Sequence, residues 1–234
     1  MTRGTRGITA AALTAGAIAL ASCGDSETGD AARSFSDPTR IDNRYLPLTK
    51  FRRCVLGGDN DEGRSERTVR TLLPQRRTFT IDGARVPAVT MRDDSYEDGR
   101  LVETTLDYFA QADDGTVLYL GEHVRNVKNG RVVDTKGTWL LGEDTDVPGV
   151  AMPAEPALGD QWRFEDVPGV TTESDRVEET GMRARVGGRI VTGVIRVQEF
   201  IQPEGAVEHK LYAPGTGVIA EYPPGGRVTY AGCR

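Results

Sequence analysis

An all-β fold, an antiparallel meander closing into a barrel or a strongly curved sandwich, is predicted by three features of this 234-residue sequence. Turn dipeptides recur about every 15 residues through the middle of the chain. Period-two alternation runs between them, and no window carries a long capped helical repeat. Two cysteines, Cys54 and Cys233, bracket the whole region.

The strongest turn signals are Asp98-Gly99, Asp114-Gly115 and Asn129-Gly130. Each supplies residues that tolerate positive φ, which two-residue hairpin loops require. Gly187-Gly188 and Glu204-Gly205 are further turn candidates. Val102, Thr104, Leu106 and Tyr108 fall on one strand face, and Glu103, Thr105 and Asp107 on the other. Further strands are predicted over 66–73, 78–81, 85–96, 116–127, 131–141, 160–164, 175–186, 189–200, 207–213, 217–222 and 228–231. A proline-rich excursion over 148–156 divides the meander into two halves. A meander of this many strands must curl, split or close. Such folds often hold a ligand in the interior.

The N-terminus reads as an export signal over 1–22. Arg3 and Arg6 stand in a stretch without acids, followed by an uncharged apolar run over 8–21. That run is too short for a membrane span, which needs about 20 apolar residues. It ends in Leu20-Ala21-Ser22-Cys23, which resembles the lipobox of bacterial lipoproteins. The resemblance implies cleavage before Cys23 and a diacylglycerol on its thiol. Two acyl chains suffice for stable anchoring, so the expected location is the outer face of the bacterial cell membrane. The alternative is a soluble secreted protein whose Cys23 merely lies near the cut. Residues 23–40 are polar and read as a lipidated start and flexible tether, leaving 41–234 as a single domain.

With Cys23 acylated, Cys54 and Cys233 remain as an even pair in an oxidising compartment. A disulfide between them is expected to tie the first strand to the last few residues and to bring the ends of the sheet together. Closing a loop of this length is worth about 5 kcal/mol at most in the entropy model. The net charge of −6 becomes about −8 once the two signal arginines leave. An acidic surface argues against nucleic acid and against docking on anionic lipid.

Several segments taken together carry a family likeness. They are Asn43-Arg44-Tyr45-Leu46-Pro47-Leu48, Tyr108-Phe109-Ala110-Gln111, Val117-Leu118-Tyr119-Leu120-Gly121-Glu122, Gly137-Thr138-Trp139, the stretch 148–154, Gly159-Asp160 and the stretch 208–218. The set resembles a family of uncharacterised bacterial secreted proteins and lipoproteins. It implies an all-β envelope domain from Asn43 onward and no assigned activity. The family tends to carry an aromatic residue where Arg53-Cys54 stand, so the resemblance makes the disulfide particular to this branch.

Candidate site residues are few. His123 and His209 are the only histidines. His209 is conceivable as a base or ligand, and equally as a half-exposed strand histidine paired with an acid. The loop Gly57-Gly58-Asp59-Asn60-Asp61-Glu62-Gly63 is rich in oxygen ligands, but its spacing does not match an EF-hand, and an exposed acidic hairpin is the plainer reading. Tyr108, Tyr119, Trp139 and Trp162 either line an apolar pocket or pack a core. Serine-hydrolase, zincin and P-loop motifs are absent from the sequence.

The expectation is therefore a non-catalytic, membrane-anchored binding domain for a small apolar ligand or an envelope protein, needing no cofactor. Tyr108, Tyr119, Trp139 and His209 are its ligand-site candidates. The alternative is a cell-envelope hydrolase using carboxylates, with His209 assisting.

Overall fold

The computed structural model describes residues 33–203 and 205–234. The signal over 1–22, the anchor at Cys23 and the stretch 24–32 lie outside those residues. The described chain forms β1 (Arg53–Asn60), β2 (Ser65–Ile81), β3 (Ala84–Glu97), β4 (Arg100–Gln111), β5 (Val117–Lys128), β6 (Arg131–Asp134) and β7 (Trp139–Leu140). It continues through β8 (Gly149–Met152), β9 (Gln161–Val167), β10 (Thr171–Val186), β11 (Arg189–Gln202), β12 (Ala206–Ala213), β13 (Gly217–Tyr222) and β14 (Gly226–Cys233).

All fourteen strands belong to one sheet, ordered β6-β5-β4-β3-β2-β1-β14-β13-β12-β11-β10-β9, with β7 and β8 added on β5. Every ladder between these strands is antiparallel. The predicted turns at Asp98-Gly99, Asn129-Gly130 and Gly187-Gly188 take positive φ at both residues, whereas of Asp114-Gly115 Gly115 alone does, in a longer loop between β4 and β5. Asp98 and Gly99 have φ of 47° and 73°, the mirror-image conformation that matches strand twist. Asp82-Gly83, at 50° and 79°, makes a further turn of this kind between β2 and β3.

Two predicted boundaries shift for local reasons. The strands expected over 66–73 and 78–81 are one strand, β2, interrupted by an irregularity between Leu73 and Arg76. Pro74 sits there; it has no N–H for a ladder and is tolerated where pairing breaks. The strand expected over 131–141 divides into β6 and β7 around the turn at Gly137.

The disulfide Cys54–Cys233 forms, and its position corrects one expectation. The two residues are direct partners in the β1–β14 ladder, which lies in the middle of the strand order. The edges of the sheet are β6 and β9, both from the middle of the chain. Among the described residues no ladder joins β9 to β8, so the hydrogen-bonded path is not closed into a barrel. The interruption falls beside the excursion expected over 148–156, which contributes β8.

The sheet nevertheless curls until its two arms share a core. Val89, Val117, Tyr119, Trp139 and Met152 from one arm pack with Val167, Val177, Ile195, Val197 and Tyr212 from the other. Gly149 on β8 lies so close to β9 that a Cβ there would overlap the Phe164 carbonyl oxygen. Trp139 Nε1 donates to Glu165 Oε1 across the same gap at 3.3 Å.

One end of the curl is plugged by 41–48. Ile41 is fully buried, and Tyr45, Leu46 and Leu48 pack on the shared core. Asn43 ties the plug to one arm, donating to the carbonyls of Gly115 (2.9 Å) and Pro153 (3.0 Å). Tyr45 ties it to the other by donating to the Gly193 carbonyl at 3.1 Å. The described end of the expected tether is also docked on the sheet: Ser36 donates through both its backbone N–H and its hydroxyl to Asp113. Phe35 packs against a second core on the outer face, around Phe79, Tyr108 and Leu120.

Candidate functional site

Strand alternation turns an unusual set of residues inward. On β12, Lys210 and Tyr212 face the interior and His209 faces out. On β4, Asp107 and Phe109 line the interior and Tyr108 faces out, around a register shift between Asp107 and Phe109. The result is a cavity of about 150 Å³ inside the curled sheet. Phe109, Tyr119, Phe164 and Tyr212 supply aromatic wall, and Leu46 and Leu48 of the plug supply the roof. The Phe109 and Tyr119 rings stack at 4.9 Å, and Phe164 approaches Tyr119 at 5.0 Å. These contacts fix the ring orientations that shape the wall.

Polar groups break this wall, and most are paired with one another. Arg70 donates from Nε to Asp93 at 2.7 Å and from Nη2 to Glu221 at 2.6 Å. Burial raises the Glu221 carboxyl, but Arg70 and Lys210 outweigh it and hold Glu221 below the usual carboxylate range. For Asp93 the balance falls the other way: burial wins over Arg70 and pushes it up. Lys210 Nζ lies 2.9 Å from Glu199 Oε2, a close ion pair. Burial pulls the ammonium down, yet Glu199, Glu221 and their neighbours leave it above its ordinary value.

Asp107 is the exception among the wall residues. Among the described residues no cation pairs with it; it accepts from Tyr119 Oη at 2.9 Å and from Thr105 Oγ1 at 3.1 Å. Burial, reinforced by the charge of Asp93, pushes its carboxyl up to about 7. Nearby Glu122 is pushed to about 9 by desolvation and by Asp107, Glu165 and Glu103. Asp107 therefore exchanges a proton near neutrality while facing an aromatic cavity.

The sequence candidates divide between the two faces. Tyr119 lines the cavity. Trp139 is fully buried behind it, meeting Tyr119 edge-on at 5.4 Å, and serves as core. Tyr108 lies on the outer face against Phe79 and His123. His209 is outside as well, 3.3 Å from Glu178, and His123 meets Arg77 at 3.3 Å. The structure thus brings Tyr119 and Trp139 together and separates both from His209. The acids of the 57–63 loop do not converge: Asp59 and Asn60 belong to β1, and Glu62 pairs with Arg64 at 2.9 Å.

Sequence reasoning missed Arg70, Asp93, Asp107, Lys210 and Glu221. Alternation on β4 put Asp107 opposite the Leu106 and Tyr108 face, which gave it the look of a solvated strand residue. The usable signal was that both faces of β4 are covered, but that follows only from curling. No protein family, no curated protein and no solved structure matches this chain, so the site is described by its own geometry alone.

Proposed function

We propose that this chain is a non-catalytic binding domain that takes a small, mainly apolar ligand into the interior of a barrel-like curled sheet. The carrying observation is the cavity of about 150 Å³ with aromatic walls and the Asp107 carboxyl among them. Volume decides the ligand class. A cavity near 150 Å³ suits a group of benzene size, whereas drug-sized ligands occupy roughly 300–1,000 Å³. The fit is one aromatic ring or a short aliphatic body carrying a hydrogen-bond donor for Asp107. The charged groups Arg70 and Lys210 are neutralised by their own partners, which leaves Asp107 and the Oδ1 of Asp93, unpartnered among the described residues, to read the ligand's polar group.

We also propose that the domain is held at the outer face of the cell membrane by a lipid on Cys23. The support is the sequence: a basic start, an uncharged apolar run and Leu20-Ala21-Ser22-Cys23 in the lipobox pattern.

The hydrolase reading is the weaker one. His209 is outside the interior, and a cavity of this volume holds no segment of a polymer. Benzyl alcohol, benzylamine and toluene titrated into the protein by NMR test the binding reading. Shifts at Phe109, Tyr119 and Phe164 are expected, with tighter binding for the two donors than for toluene. Absence of binding by all three at millimolar concentration sinks it.

A further inference from the structure

We propose that Glu173, Asp175 and Glu199 form a binding site for one hard divalent cation, with calcium the best match. The three come from adjacent strands. Asp175 on β10 is the direct partner of Glu199 on β11, and Glu173 lies two residues along β10 on the same face. One carboxylate oxygen from each lies within 4.8 Å of the other two. Calcium–oxygen bonds of about 2.3–2.6 Å place oxygens on one ion at up to roughly 5 Å from each other.

A second observation points to an occupant. Asp175 is 1% exposed, and among the described residues no N–H or O–H donor reaches its carboxylate oxygens; its contact is with the Glu173 carboxyl, which bonds it only by sharing a proton. Glu173 Oε1 is likewise sealed from solvent and without a hydrogen bond, while Glu199 Oε2 is held at 2.9 Å by Lys210 Nζ. Buried carboxylates are paired, hydrogen-bonded or bound to a metal, because the desolvation cost of an isolated charge is prohibitive. Among the described residues the three carboxylates share one ion pair, from Lys210 to Glu199. Three carboxylates against one ammonium leave two negative charges, the number a divalent cation supplies.

The donor set selects the class of ion. All three ligands are carboxylate oxygens, with no imidazole or thiolate among them, which suits calcium or manganese and not zinc or copper. Magnesium demands near-ideal octahedral geometry, while calcium accepts irregular oxygen cages. An open cleft is lined by Glu122, Thr138, Thr171 and Ile201, and Ile201 is the direct strand partner of Glu173. The rival occupant is protons shared among the three acids, each of which burial pushes above its ordinary value.

Calcium titrated into the purified, EDTA-treated full chain separates the two. Trp162 is the cross-strand partner of Asp175, so intrinsic fluorescence reports the site. One calcium per chain is expected, with a fluorescence change and a Tm rise of about 5–10 °C at a hundredfold excess over Kd. Asp175→Asn abolishes both responses, and in EDTA it melts above the parent because one repelling charge is gone. Glu173→Gln repeats the test should Asp175→Asn not fold. A parent chain that binds neither calcium nor manganese at millimolar concentration overturns the proposal in favour of protons. So does a calcium response that both variants retain.

Discussion

Cys54 and Cys233 are direct partners in the β1–β14 ladder, so the disulfide staples the centre of the sheet and leaves the seam between β8 and β9 unlinked. The first and last strands meet there, and the cross-link holds the longest-range strand pairing among the described residues. Replacing both cysteines by serine is expected to cost about 2–5 kcal/mol, since the reduced chain recovers the entropy of a very large loop. At about 2–4 °C per kcal/mol for a chain of this size, thermal unfolding shifts markedly while far-UV circular dichroism at 20 °C stays that of the parent. A loss of sheet signal in the variant at that temperature would show that the ladder does not hold without its staple.

The seam has a single-residue test. Gly149 approaches Phe164 too closely to admit a side chain, so Gly149→Ala forces β8 and β9 apart. Overpacking of this kind costs about 1–3 kcal/mol. Amide hydrogen exchange is expected to quicken in β8 and β9 and to remain slow in the β1–β14 ladder. Uniform acceleration across the sheet would mean that the seam is no separate unit.

Asp107 makes stability depend on pH. Its folded pKa, about 7, lies above the unfolded carboxyl value of about 3.9. Between those values the folded state keeps a proton that the unfolded state has lost, so stability falls as pH rises from about 4 to about 7. The groups acting on it are Asp93, which raises it, and Tyr119, Thr105 and Arg70, which lower it. Asp107→Asn removes the titration. Relative to the parent it gains about 3 kcal/mol between pH 5 and pH 8, read as the difference between two denaturation curves. Parallel pH profiles for parent and variant would refute a buried, titrating Asp107.

Anchoring rests on Cys23 and is tested there. Cys23→Ser is expected to move the protein from the membrane fraction to the soluble exported fraction, and mass analysis of the parent is expected to find acyl chains on Cys23. A variant that still sediments with membranes removes the lipid anchor from the account.

The sequence by itself determined the elements. Asp98-Gly99 and Asn129-Gly130 set their hairpins because positive φ is a local property, and alternation along β4 marked a strand for the same reason. The cysteine pair was also legible, since excluding Cys23 leaves a single partnership. Only the tertiary structure decided what that pair closes. Ladder order, not chain order, fixes which strands are edges, and it put the first and last strands in the middle of the sheet and the seam at β8 and β9. The site follows the same division. Tyr119 stood out in the sequence because aromatics in strands are conspicuous. Nothing local in the sequence marked Asp107, Lys210, Asp175 or Glu199, and it is curling that places their strand faces inside. Burial of a charge is a property of the closed surface around it, and no local window of residues contains that surface.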